Sequence, residues 1–332
     1  MSNRLCKVLG IEKPVIQGPM SWVSTAPLSA AVSEAGGLGV LGTAAASPDF
    51  IADQISKVKE KTGKPFAINM GLHPAFLPED YFTATLEILK REKVAAVHLD
   101  TLCSVTHRLE AAFARPFFER WKAAGIKILA KVFTMQDAEA AQAAGADVII
   151  VKGWEGGGHG TMQSTMVLVP QAADVARVPL VASGGIADGR GMAAAMVMGA
   201  DGIEMGTAFL AAEETAIHPD AKRAVLDAGD FTTVEVGFSA GEPCRQIRNA
   251  LSDEVYRIET DLPAAQAKDK VIALTQNSLR LAMQEGDVQH GAVMAGQIVG
   301  LVRAVRPARE IVDSTCAQCE AILKNASALA LH

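Results

Sequence analysis

From the N-terminus to about Ala212, short β-branched or apolar runs alternate with longer segments of helical period. This alternation restricts the fold more than any other feature of the chain. Parallel strands need crossover connections long enough to hold a helix, and a regular strand and helix rhythm supplies them. Eight strands are expected: Pro14 to Gly18, Leu38 to Gly42, Phe66 to Met70, Ala95 to Leu99, Ile126 to Val132, Asp147 to Val151, Leu180 to Ser183 and Gly202 to Met205. Most are continuous apolar runs, as strands covered on both faces require. Helical segments end on glycine at Glu34-Ala35-Gly36-Gly37, Ala123-Ala124-Gly125, Ala143-Ala144-Gly145 and Val197-Met198-Gly199. Glycine there admits the positive φ that turns a helix end toward the next strand. The pattern predicts an α/β fold, a (β/α)8 TIM barrel, whose functional face lies at the C-terminal ends of the strands.

A chain of 332 residues fits one such barrel with additions, and a composition of 49% hydrophobic and 20% charged residues suits a large buried core. The net charge of −6, with no basic run to reverse it locally, argues against a nucleic-acid partner. Met1 to Val8 carries Arg4 and Lys7 but no following apolar stretch long enough for a signal peptide, and no apolar window of about 18 residues occurs. A cytoplasmic protein that does not engage a membrane is expected. The cysteines Cys6, Cys103, Cys244, Cys316 and Cys319 are an odd, scattered set, expected to be reduced thiols. Cys316 and Cys319 form a C-x-x-C in a helical, alanine-rich tail without a second ligand pair, so no metal is assigned to them.

After Ala212 the rhythm changes. Residues 1–240 are assigned to the barrel and 241–291 to a small, mainly helical insertion over its mouth. Residues 292–332 return to the barrel and end in an amphipathic helix from about Pro307 to Leu329 on the outside.

The most informative segments are Ala182-Ser183-Gly184-Gly185-Ile186-Ala187-Asp188-Gly189 and Met205-Gly206-Thr207, at the ends of the last two expected strands. Gly184, Gly185 and Gly206 would let backbone N–H groups approach phosphate oxygens, and Thr207 adds a hydroxyl donor beside a helix start. The alternative is that these glycines only make tight turns. A second segment, Lys152-Gly153-Trp154-Glu155-Gly156-Gly157-Gly158-His159-Gly160, would present His159 as a general acid or base at the barrel mouth. His73 could line the site after the third strand, His98 is either core or site-facing, and His107, His218, His290 and His332 are taken as structural or solvated. Lys131 interrupts the apolar strand Ile128-Leu129-Ala130-Lys131-Val132, which is costly unless it meets an anion or snorkels outward. Pointing into the mouth, it would stabilise negative charge on a bound ring, with Asn69 offering a donor and an acceptor to the same ligand.

Taken together, Pro14-Val15-Ile16-Gln17-Gly18-Pro19-Met20, the Glu155 to Gly160 loop and Ser183 to Gly206 resemble the nitronate monooxygenase family of FMN barrels, which also contains enoyl-acyl-carrier-protein reductase II. The resemblance runs over nearly the whole chain. It implies a flavin ring against Gly18, Pro19 and Met20, with Asn69 and Lys131 at its polar edge and Gly153, Gly158, Ser183 and Met205 also in the cofactor site. The phosphate would sit on Gly184, Gly185, Gly206 and Thr207, and His159 would be the substrate-side acid, base or oxyanion donor. Gly286 to Leu301 looks like the enoyl reductase branch, in which the stretch matching Met294 to Gln297, here Met294, Gly296 and Gln297, approaches the flavin; His218-Pro219 and Arg245 to Asn249 point the same way. Lys131 is closer to the monooxygenases and their quinone-reducing relatives.

The resemblance therefore implies an FMN-dependent oxidoreductase. The leading expectation is reduction of an enoyl thioester with NADH or NADPH as reductant, on a small-molecule or acyl-thioester substrate, with an acyl carrier protein and a homodimer as further expectations. Oxidation of nitronates by O2 and NAD(P)H:quinone reduction are the alternatives within the family, and a non-redox barrel that binds a phosphate ligand is the alternative outside it.

Overall fold

A computed structural model describes residues 3–44, 46–73, 77–101, 108–241 and 243–326. Cys103, His107 and His332 lie outside the described residues, as does part of the segment after the fourth strand. Eight parallel strands form the central sheet: β1 (Val15–Gln17), β2 (Gly39–Leu41), β3 (Phe66–Gly71), β4 (Ala96–Asp100), β5 (Lys127–Val132), β6 (Val148–Lys152), β8 (Leu180–Ser183) and β9 (Gly202–Met205). The two-residue strand β7 (Gly158–His159) belongs elsewhere. Spatial order runs β1-β9-β8-β6-β5-β4-β3-β2, and a parallel bridge between Ile16 and Leu38 joins the two outer strands, so the sheet is a nearly closed TIM barrel.

The helices α2 (Ala26–Glu34), α3 (Pro48–Lys59), α4 (Glu79–Glu92), α5 (Ala111–Ala123), α6 (Met135–Ala144), α7 (Thr165–Val175) and α8 (Gly189–Val197) surround it. Gly36, Gly125, Gly145 and Gly199 at the helix ends have φ of 91°, 77°, 110° and 105°, the left-handed conformation that the sequence pattern required. One closed core lies between strands and helices. In it Phe82 of α4 meets Phe117 and Trp121 of α5 edge-on, with ring centroids 4.9 and 5.0 Å away. A second core fills the barrel itself. There Leu5 and Leu9 of α1 (Arg4–Leu9) plug the base against Ile16, Leu129, Ile150 and Val181.

Beyond the barrel come α9 (Pro219–Asp227), α10 (Ala250–Asp261), α11 (Ala264–Thr275), α12 (Ser278–Glu285) and α13 (Ala308–Lys324). Two strands unanticipated from sequence, β10 (Thr233–Val236) and β11 (Cys244–Ile247), pair antiparallel, and β11 takes β7 on its other edge. Their four-residue length and the polar Arg245 and Gln246 hide them from a search for apolar alternation. On α13, Cys319 packs its thiol 3.7 Å from the Met196 sulfur of α8, and burial pushes the Cys316 thiol up to about 11. Among the described residues no helix is long and apolar enough to cross a membrane.

Gly39 in β2 shows how tightly the outer layer is packed, because a Cβ there would stand 1.9 Å from the Ser29 carbonyl oxygen in α2. Gly39→Ala is expected to cost about 3 kcal/mol of stability through overpacking, read from the urea midpoint. An unchanged midpoint would show that α2 is free to move off the sheet.

Candidate active site

The C-terminal strand ends enclose a cavity of about 490 Å³, the usual size of a small-molecule site. Its floor is a buried ionic network. Glu204 of β9, 3% exposed, accepts from Lys131 Nζ at 2.9 Å and from Ser183 Oγ at 2.8 Å, and its other oxygen lies 2.6 Å from His98 Nε2. Lys131 also faces Asp100 at 3.6 Å, which sits beside it in register across β4 and β5. Asn69 donates from Nδ2 to Asp100 Oδ2 and to the His98 carbonyl, both at 3.1 Å.

Burial alone would raise the pKa of both carboxyls, but Lys131 and His98 overcome it and hold Glu204 and Asp100 below their ordinary values. Burial would likewise lower Lys131, and the two carboxylates outweigh it and raise the ammonium. The anion that a strand-interior lysine demands is therefore supplied by the protein itself. Lys131 still lines the cavity, with its charge already met.

The glycine loops stand as the wall for an anion. Gly184 and Gly185 have φ of 89° and 73°. Gly206 has an ordinary φ of −105°, and a Cβ there would meet only the Met20 sulfur at 3.7 Å, so nothing inside the protein demands glycine. A Cβ would instead intrude on the cavity. The N–H groups of Gly184, Gly185 and Gly206 have no acceptor among the described residues. Thr207 Oγ1 accepts the Gly296 N–H at 2.9 Å, which leaves its own O–H to donate. This cradle, with Met205 beside it, fits the phosphate of FMN. On the far side, the turn Gly18-Pro19-Met20 is pinned by Gly18 N–H donating to the Met205 carbonyl and Met20 N–H donating to Ser24 Oγ.

His159 is exposed at the mouth, where β7 is held by β11, Cys244 opposite His159. Glu155 of the same loop accepts from the N–H and the hydroxyl of Thr165, both at 2.9 Å, and so ties the loop to the start of α7. The segment returning from the insertion lies directly on this loop, since a Cβ on Gly157 would come 2.6 Å from the Ala295 carbonyl carbon. Met294 and Gly296 reach the cavity in this way, and so does Gly158.

Three expected site residues do not line the cavity. Asn69 is turned to Asp100, Gly153 is buried with Thr165 filling the space in front of it, and Gln297 is exposed, its N–H donating to the Glu155 carbonyl. His98 is core and site floor at once, His73 does not line the cavity, and His218 caps α9 by accepting the Asp220 N–H. The residues that sequence reasoning missed are Glu204, Asp100 and Lys152. Glu204 interrupts the apolar run Gly202-Ile203-Glu204-Met205 just as Lys131 interrupts its own strand, and that symmetry was the available signal.

A cavity at the C-terminal strand ends, walled by glycine loops of the last two strands, with an ionic floor and a histidine at the mouth, has the layout of a TIM-barrel enzyme site. The sequence matches the family described as nitronate monooxygenase over residues 2–318, and the chain belongs to that family of FMN-dependent oxidoreductases. A probable nitronate monooxygenase of Staphylococcus aureus is 29% identical, over 97% of this chain and 98% of the relative. FabK from Thermotoga maritima superposes with a TM-score of 0.88 at 33% identity, covering 99% of this chain and all of that one, 100%. The nitroalkane oxidase of Streptomyces ansochromogenes gives a TM-score of 0.78 at 30% identity, with 98% and 100% coverage.

Glu204→Gln leaves Lys131 with only Asp100 at 3.6 Å. The expected loss is about 3 kcal/mol, as for breaking a buried pair, measured by urea denaturation at pH 7. Because the folded carboxyls lie below their ordinary values of 4.5 and 3.8, the network's stabilisation is full above that range and is lost progressively as pH falls from it toward the lower folded values. Wild type should therefore lose more stability than E204Q between pH 6 and 3, and parallel profiles would sink the assignment.

Proposed function

We propose that the protein is an NAD(P)H-dependent FMN reductase acting on an enoyl thioester or a similarly electron-poor alkene. One observation carries this reading. The cavity lining includes Leu210, Leu279, Met283, Met294 and Ile298, apolar side chains suited to an acyl chain and able to exclude water. The likeness to FabK, an enoyl-acyl-carrier-protein reductase II, supports the same reaction.

FMN, when bound, supplies the two-electron redox chemistry. The chain's own residues do the rest. The N–H groups of Gly184, Gly185 and Gly206 and the Thr207 hydroxyl hold the phosphate, and the pinned Gly18 to Met20 turn gives the ring a rigid backbone surface. His159, which lines the cavity, would hydrogen-bond a substrate carbonyl oxygen and deliver or remove a proton there. The acyl group would arrive on a small thioester or on an acyl carrier protein.

Nitronate oxidation by O2 is the second function, favoured by the family match and by the nitroalkane oxidase likeness. Anaerobic stopped-flow mixing separates the two. NADH or NADPH should bleach the flavin of the loaded protein, and a crotonyl thioester should restore its colour faster than a quinone does. Failure of both nucleotides, together with bleaching by a nitronate, would give the second function instead.

The cradle has its own test. Gly206→Ala meets nothing in the protein nearer than 3.7 Å, so stability should stay within about 0.5 kcal/mol of wild type while the FMN Kd rises about tenfold. Unchanged FMN affinity would remove Gly206 from the phosphate site.

A further inference from the structure

Among the described residues, three cations line the cavity: Arg108, Lys131 and Lys152. Arg108 pairs with Asp137 at 3.7 Å, and Lys131 with Glu204 and Asp100. Lys152, the last residue of β6, has no carboxylate within ion-pair distance among the described residues. Its ammonium donates to the Gly157 carbonyl at 2.7 Å and to the His159 carbonyl, both neutral acceptors on the loop that bears His159. An ammonium has three N–H groups, so one remains for the cavity.

The loop is shaped around this side chain. Gly156 does not use a positive φ, yet a Cβ there would stand 2.5 Å from Lys152 Cε. A glycine thus gives the lysine stem its passage to the cavity wall. A partly desolvated cation whose contacts are all neutral gains from an anion placed against it.

We propose that Lys152 forms an oxyanion subsite beside His159, which takes one negatively charged oxygen of the substrate: a carboxylate or nitronate oxygen, or the oxygen of a thioester enolate as charge develops on it. The assignment rests on the cavity being the substrate site, and it makes Lys152 a catalytic residue alongside His159. The charged and titratable groups facing Lys152 are Lys131 of β5, Asp100 of β4, Glu204 of β9 and Cys244 of β11, with His159 on β7. Burial first, and then Lys131, push the ammonium down to about 8, against the pull of the two carboxylates. The subsite is therefore charged at neutral pH and loses its charge through the pH 8 region.

Nitrate, a planar oxyanion, is the probe, titrated by calorimetry into the FMN-loaded protein so that the phosphate cradle is filled. Between pH 7 and 9 the wild-type Kd should rise about tenfold, one unit beyond the titration. Lys152→Arg, which keeps its charge, should bind equally at both pH values, while Lys152→Met should bind about tenfold more weakly at pH 7 and show no pH dependence. Gly156→Ala, which displaces the lysine stem without removing its charge, should also weaken nitrate binding, with an unchanged melting temperature showing that the barrel is intact. Unchanged affinity in K152M, or the wild-type pH dependence persisting in K152R, would overturn the subsite. A protein that fails to take up FMN overturns the flavin reading separately. In that flavin-free protein nitrate can also enter the glycine cradle, so there the pH dependence, present in wild type and lost in K152R and K152M, decides the role of Lys152.

Discussion

The contact between Lys131 and Glu204 sets what the rest of the molecule can be. Two charges this deep in a barrel are tolerable only as a pair with every remaining hydrogen-bonding position satisfied, and each partner here recruits further groups: His98 and Ser183 on the acid, Asp100 on the base, Asn69 behind Asp100. These residues come from β3, β4, β5, β8 and β9, so the network fixes the relative register of five strands around one point. A slip of one residue in any of them would turn the charged side chain to the opposite face of the sheet. The cavity above therefore has a rigid polar floor in which two carboxylates, Asp100 and Glu204, share one ammonium, Lys131.

The rim is built by a different principle. Its loops are rich in glycine, and the reasons differ from position to position. Gly184 and Gly185 need a left-handed backbone, Gly157 is pressed against the returning segment, and Gly206 faces empty space in the cavity. Only the last kind speaks directly of a ligand. The cavity lining thus combines backbone N–H groups that have no acceptor among the described residues, and a hydroxyl, with methionine and leucine side chains.

The barrel could be read from the chain because both of its signals are local: apolar runs covered on two faces, and glycines such as Gly125 and Gly145 that end helices with a positive φ. That Gly184, Gly185, Gly206 and Thr207 line one cavity was legible for the same reason, since each of the two loops is contiguous in sequence. What could not be read were partnerships across strands. Lys131 is conspicuous, but nothing in a linear chain says that its anion is Glu204, 73 residues away, so a charge that the protein neutralises looked like one offered to a ligand. The reverse holds for Lys152, which ends an apolar strand in an unremarkable way and becomes distinctive only when its neighbours are seen to be carbonyls. Strands β10 and β11 escaped because the apolar stripe of β10 is only Val234 and Val236, and β11 is held by pairing and by the Arg245 contact with Glu235 at 3.5 Å.

The pairing of β7 with β11 joins Gly158 and His159 to Cys244 and Arg245, a strand from beyond the eighth barrel strand. The histidine at the mouth is thus held by chain that emerges from the ribosome only after the whole barrel sequence has been made. The eight strands can be made before that edge exists, but the outer core is finished only when α13, which contributes Ala308, Ile311 and Val312, is added after it. The loop after β6 and the outer helical layer are therefore both completed from beyond the barrel strands, and a chain cut after β9 would lose the pairing edge of β7 and part of its core together.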